Sequence, residues 1–283
     1  MMAMGALARA VAALAAVAAH PGPDVEAPRA ERFASPGAAV AVALAQAAGG
    51  VVAFGELHQT NATVKIPSAL HRFTEEIFPG IAGRFSHLVV ETWMTTGRCG
   101  EAERAVTADV QRTTERPAQT ETEIETLLRV AHDHGVAPRI LSIGCADYQA
   151  MRGGEGGAVD YDRTLRVTAG ALETAIVRAL RASGAPPGAA PRLVGVYGGA
   201  LHNDLHPDPE LAAYSFVPGI LGATLGRYVE VDLVVPEYAA SSAAVRAQTW
   251  WRSYLRARRP GATVLVRRDA RSFVLVFPTM PHK

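Results

Sequence analysis

The sequence predicts an α/β fold, a mostly parallel central sheet with helices on both faces and an antiparallel hairpin at the C-terminal edge. Three observations predict it. Short apolar runs of strand length, at 51–54, 88–90, 140–143, 193–196 and 229–234, alternate with stretches whose apolar residues recur every three to four positions. That alternation is the signature of parallel strands joined by helices. The runs are continuous rather than two-periodic, as expected of strands buried on both faces. Finally, two apolar segments near the C-terminus, 263–267 and 272–277, are separated only by Arg268-Asp269-Ala270-Arg271 and read as a hairpin. With 283 residues, 49% of them hydrophobic, the chain is long enough to bury a substantial core.

In chain order, residues 1–19 are Ala-rich, carry only Arg9 and end in small residues before His20-Pro21-Gly22-Pro23, the pattern of an export signal. Export to the periplasm or the medium follows as the expected location; a cytoplasmic protein with an Ala-rich first helix is the alternative. Residues 20–37 read as a linker, and 38–283 as a single α/β domain. Residues 38–48 favour helix, ended by Gly49-Gly50. The first strand then delivers Gly55-Glu56-Leu57-His58. If the strand continues through His58, Glu56 and His58 lie on one side of the sheet. Charged groups at the end of an apolar run cost free energy unless they are paired or bound.

Pro67 suits a first helical turn, and Leu70, Phe73, Ile77 and Phe78 follow at helical spacing before Pro79-Gly80. The second strand, 87–93, carries the acid Glu91. Residues 94–120 are polar and read as a long loop with a short helix over a site. Residues 121–134 read as a helix, with His132 and His134 structural at its end before Gly135. The third strand, 139–148, ends in Asp147. A long amphipathic helix covers 163–183, with Leu165, Ala169, Leu172, Ile176 and Leu180 in register. The fourth strand exits through Gly198-Gly199-Ala200-Leu201-His202-Asn203-Asp204, and its glycine pair allows close approach of a ligand. A fifth strand, 228–235, and a basic helix, 249–259, precede the hairpin. In that helix Trp250, Trp251 and Tyr254 read as cover for the sheet and Arg252, Arg256, Arg258 and Arg259 as solvated; a docking face is the alternative.

The net charge of +1 argues against a nucleic-acid partner. No apolar stretch beyond the N-terminus is long enough to span a membrane. The two cysteines, Cys99 and Cys145, read as free with Cys145 buried, although both lie near one rim of the sheet and a disulfide is the open alternative.

In open parallel sheets, ligands bind beyond the carboxyl ends of the strands. Glu56 with His58, Glu91, Asp147 and His202 fall at the ends of four separate strands, so they form the candidate site, with Asp147, Asn203 and Asp204 supporting. Imidazole and carboxylate donors without a thiolate pair suit Mn²⁺, Fe²⁺ or Zn²⁺. Without a metal, a histidine oriented by a glutamate is a general base. Either scheme predicts hydrolysis of a small-molecule or peptide substrate by an activated water. No Gly-x-Ser-x-Gly elbow, phosphate loop or paired Cys-x-x-Cys is present.

At Gly55-Glu56-x-His58, Leu88-Val89-Val90-Glu91 and Gly198-Gly199-x-x-His202 the chain resembles the superfamily of erythromycin esterases, haem-binding ChaN lipoproteins and Tiki/TraB proteins. The resemblance covers roughly residues 45–235. It implies an α/β fold with a polar site at the strand ends, using Glu56, His58, Glu91 and His202 for acid–base hydrolysis or for holding a divalent metal. The ChaN branch implies the alternative of a haem- or metal-binding protein without turnover, through residues that the motifs do not place; among this chain's own residues Tyr148, Tyr197, Tyr214 and His202 are of the type that supplies an axial ligand. The chain lacks the lipoprotein cysteine of that branch and the extra helical bundle of the esterases.

Overall fold

The structure is a computed structural model that describes residues 28–47, 49–153, 158–184 and 192–280. The N-terminal segment read as an export signal lies outside them. A single eight-stranded sheet organises the chain. Its strands are β1 (Arg29–Phe33), β2 (Val51–Glu56), β3 (Phe85–Trp93), β4 (Ala137–Leu141), β5 (Leu193–Gly199), β6 (Tyr228–Val234), β7 (Thr263–Arg267) and β8 (Ser272–Val276), in the spatial order β1-β7-β8-β6-β2-β5-β3-β4. Strands β2 to β6 and β8 pair in parallel, whereas β7 pairs antiparallel to β8 and to β1. The α/β class with an antiparallel edge is therefore as the sequence predicts.

Every residue of β2 is buried, because parallel neighbours lie on both its edges and helices on both its faces. On one face, α1 (Pro36–Leu44), the helical stretch Ala69–Arg72 (α2), a π turn Phe73–Ile77 and Phe78–Ile81 (α3) pack Val40, Phe73, Ile77 and Phe78 on Phe54, Val231 and Leu275. Ser35 caps α1 by accepting from Ala38 N, and Pro36 stands where no backbone donor is needed. The polar layer that follows holds α4 (Gly100–Thr114) and α5 (Gln119–Asp133), the latter burying Leu127 and Ala131 on the same face.

Short α6 (Cys145–Met151) precedes α7 (Tyr161–Ala182), capped by Asp160. With the one-turn α8 (Ala200–Asn203) and with α9 (Val217–Thr224), α7 covers the opposite face, where Leu172, Ile176 and Ile220 meet Val51, Ala53, Val194 and Val196. Two short helices, α10 (Pro236–Ser241) and α11 (Ala243–Ala247), lead to α12 (Thr249–Ala257), whose Trp250, Trp251 and Tyr254 bury themselves on Val264, Val266, Val274 and Val276. Arg252, Arg256, Arg258 and Arg259 are exposed, so this helix is sheet cover with a solvated basic face.

Four expectations need correction. The stretch read as linker contains edge strand β1, which pairs with β7 from Arg29↔Arg267 to Phe33↔Thr263; its exposed, charge-rich sequence hid it. Residues 94–120 hold a 15-residue helix rather than a loop with a short one. The third strand stops at Leu141, and Asp147 belongs to the first turn of α6. Cys99 and Cys145 form a disulfide with Cα atoms 5.0 Å apart, and Cys145 is exposed, not buried.

Candidate functional site

The four residues that the sequence singled out come together at the carboxyl ends of three adjacent strands. The chain runs β2, β3, β4 in order, but β5 inserts between β2 and β3. In register, Glu56 stands beside Gly199 and Val90 beside Tyr197. Glu56 therefore sits on one side of the β5 exit and Glu91 on the other, with the glycine pair between them.

That glycine pair is a spatial requirement. A Cβ on Gly198 would lie 2.5 Å from Glu91 Oε2, and one on Gly199 would lie 2.8 Å from His58 Nε2 and 3.6 Å from Glu91 Oε2. Real Cβ contacts are not that short, so a side chain at either position would displace the site. The same distances show that His58 and Glu91 both close in on the Gly199 backbone.

The Glu56–His58 half is a hydrogen-bonded dyad. Glu56 Oε1 accepts from His58 Nδ1 (2.6 Å), and Glu56 Oε2 accepts from the Tyr197 hydroxyl (2.6 Å). Burial, the largest single influence, pushes the Glu56 carboxyl up. The His58 hydrogen bond and charge, Arg116 and the Tyr197 hydroxyl together outweigh it, and the group stays below the usual carboxylate range. Tyr197, buried beside that carboxylate, is pushed well above the ordinary phenol range and keeps its proton to donate. The Arg116 guanidinium lies against the His58 ring, its Nη2 2.5 Å from Nε2 and 2.9 Å from Nδ1.

The Glu91–His202 half is built differently. Glu91 Oε2 accepts from Gly199 N (2.7 Å), while Oε1 is 3.8 Å from His202 Nε2. His202 donates Nδ1–H to the Tyr214 carbonyl (2.6 Å), and its Nε2 faces Glu91. Burial is again the strongest push on Glu91, upward, but His202, His58, Arg116 and the Gly199 N–H together hold it below its ordinary value. Both carboxylates are thus anions at neutral pH.

The supporting residues divide. Asn203 is structural to the site: its amide, oriented to satisfy both neighbours, donates to Ala200 O (2.6 Å) and accepts from Gly55 N (3.1 Å). It ties the end of β2 to α8, the turn that carries His202. Asp204 is buried, and its Oδ1 accepts from His206 N. It faces a second polar cluster in which Arg268 Nη2 bridges Glu230 Oε1 and Asp232 Oδ2, both at 2.8 Å. Asp147 does not join the site. Its Oδ2 accepts from Gly144 N as a helix cap (3.0 Å).

Arg116 is a candidate site residue that the sequence did not single out. It follows Glu115, whose backbone is left-handed (φ 48°), in the short link between α4 and α5. Nothing in Glu-Arg-Pro marks it; the signal was only that the polar segment 94–120 had to lie over a site. With Glu56, His58, Gln59, Ser68 and Glu123 it encloses a cavity of about 10 Å³, room for one water.

Among the described residues no group of three His, Cys, Asp or Glu side chains is placed to hold a metal ion. The donor set explains this. Glu56 and His58 Nδ1 are bonded to each other, and a guanidinium already supplies the positive charge at His58 Nε2. Only Glu91 Oε1 and His202 Nε2 are uncommitted, which is too few for a protein-held divalent ion. The tyrosines considered as haem ligands are also engaged. Tyr148 is buried against Met151, Tyr197 binds Glu56, and the Tyr214 hydroxyl donates to Asp162 Oδ1 (2.5 Å).

Comparison with known protein families, with curated proteins and with solved structures finds no match for this chain. The superfamily resemblance stands on its three short motifs alone. Within the described residues no helix is long and apolar enough to cross a membrane.

Proposed function

We propose that the protein is a hydrolase of the acid–base kind, acting on an ester or amide carbonyl without a protein-held metal. The observation that carries this reading is the Glu56–His58 dyad at the strand ends, with Glu56 held by Tyr197 and with both His58 and Glu91 drawn in against Gly199. A water held between His58 and Glu91 would have a base and an anchoring carboxylate within reach, which is what general-base catalysis requires. His58 Nε2 takes the water proton as the water oxygen bonds to the carbonyl carbon. Glu56, held by Tyr197, orients the ring and stabilises the imidazolium, as the acid does in a Ser-His-Asp triad. Arg116 brings a guanidinium into contact with His58, and it stabilises the negative charge growing on the carbonyl oxygen. Collapse of the tetrahedral species breaks the bond to the leaving group, which recovers the proton from His58. Glu91 and His202 position the water.

The small cavity and the seating of Arg116 on His58 mean that substrate enters by displacing Arg116 from the ring. The exposed disulfide supports the reading that the protein works in an oxidising compartment outside the cytoplasm. A panel of carboxyl-ester and peptide substrates tests the function. We expect turnover that falls at least about 100-fold in Glu56→Gln and His58→Ala, typical of losing a general base, with far-ultraviolet circular dichroism unchanged. Equal rates in wild type and both variants would remove the proposal, as would persistence of full activity in His202→Ala.

A further inference from the structure

A cavity far larger than the one beside His58 lies away from the four-residue site. It is an open groove of about 730 Å³ between edge strand β4 and helix α7, and none of Glu56, His58, Glu91 or His202 lines it. Its floor is a run of small residues on one face of α7, namely Gly170, Ala171, Thr174 and Ala175. Arginines stand round it, with Arg163 and Arg166 toward one end of the helix, Arg178 toward the other and Arg139 across on β4.

We propose that this groove binds a small elongated polyanion, one bearing phosphate, sulfate or carboxylate groups along a slender body. Three independent features carry the inference. First, part of the charge is unspent. Arg166 is held by Asp162 through two hydrogen bonds (2.8 and 3.1 Å) and Arg163 shares that carboxylate's field, but among the described residues no ion pair joins Arg139 or Arg178 to a carboxylate. The one acid in the lining, Asp147, is occupied in capping Gly144 N. Like charges gathered along a cleft focus the field within it and attract a counter-ion.

Second, the shape has no packing explanation. Gly170 sits in the middle of a 22-residue helix, where glycine costs about 1 kcal/mol relative to alanine. Nothing lies within 4 Å of where its Cβ would be. The small side chain serves no close contact inside the fold; what it does is keep the trough open. Third, the charges are spaced for length. Arg163 and Arg178 are separated by roughly 22 Å of helix axis, at 1.5 Å per residue, which suits several anionic groups in a row rather than a single one. Guanidinium groups bind such oxyanions through paired N–H donors. Positive charge is felt beyond the groove as well: Arg139 and Arg192 add to burial in lowering the His87 pKa.

Titration calorimetry at low ionic strength, with linear short-chain inorganic polyphosphate and with orthophosphate as probes, tests this on the full chain. We expect polyphosphate to bind at least about tenfold tighter than orthophosphate, and its affinity to fall at least about tenfold in Arg163→Gln/Arg178→Gln. Because both arginines are exposed, the variant should melt with the wild type, which separates lost binding from lost folding. The double variant Arg252→Gln/Arg256→Gln, on the distant basic helix α12, is the comparison and should bind as the wild type does. No polyphosphate binding, or an equal loss in the α12 variant, would overturn the proposal. Ester turnover does not enter this test, so its outcome is independent of the hydrolase reading.

Discussion

Reducing the Cys99–Cys145 bond should destabilise the protein by about 4 kcal/mol. The two cysteines are 46 residues apart, and closing a loop of that length removes unfolded-chain entropy worth roughly that amount at 25 °C. For a chain of 283 residues, at about 2 °C per kcal/mol, the melting temperature should drop by about 8 °C. The loss falls where the fold has least else to hold it. Helices α4 and α6 share a cluster of only four buried apolar residues, Ala102, Val106, Tyr148 and Met151. The loop before α4 keeps a second anchor, because buried Glu103 accepts hydrogen bonds from the backbone N–H groups of Gly97 and Cys99 (both 3.0 Å). The sheet and the Glu56–His58 dyad should therefore survive reduction while α4 and the link bearing Arg116 loosen. Scanning calorimetry of wild type, with and without reductant, and of Cys99→Ser/Cys145→Ser measures the effect, and thiol titration of the native protein should find no free thiol. Two reactive thiols in protein folded under oxidising conditions, or identical melting with and without reductant, would refute the reasoning.

Gly199→Ala should abolish most turnover at a stability cost of about 1–3 kcal/mol, since the new methyl would press on His58 Nε2, whereas Gly80→Ala, with nothing within 4 Å, should leave activity intact. Parallel kinetics and thermal melts on the two variants check this. Tyr197→Phe should cost about 1.5–3 kcal/mol, the worth of a hydrogen bond to a charged group, and lower turnover by loosening Glu56; urea unfolding together with rates tests it. Burial pushes the Asp232 carboxyl up to about 6 despite Arg268, and Glu230 beside it is raised too. The folded state thus holds protons that the unfolded chain has released. The stability contribution of Asp232 is full below about pH 4 and is lost as pH rises through about 6. Denaturant melts from pH 4 to 8 should show Asp232→Asn gaining on wild type with rising pH, by up to about 3 kcal/mol at about 1.4 kcal/mol per pKa unit. A constant difference across that range would count against the buried-carboxylate account.

The sequence by itself determined the α/β class and where along the chain strands β2 to β8 fall, because strands buried on both faces must be written as apolar runs and amphipathic helices as a 3.6-residue period. It also exposed Glu56, His58, Glu91 and His202, since acids and imidazoles at the ends of such runs stand out against their apolar surroundings. It could not show β1, whose residues Arg29, Glu31 and Arg32 face solvent at an edge and carry no apolar signature, nor that Asp147 starts a helix. Only the tertiary structure decided that β5 enters between β2 and β3, and that insertion is what brings two half-sites to either side of Gly198 and Gly199. Arg116, Tyr197 and the Tyr214 carbonyl took their places for the same reason. Contacts between residues far apart in the chain depend on strand order and helix packing, which local residue patterns do not encode.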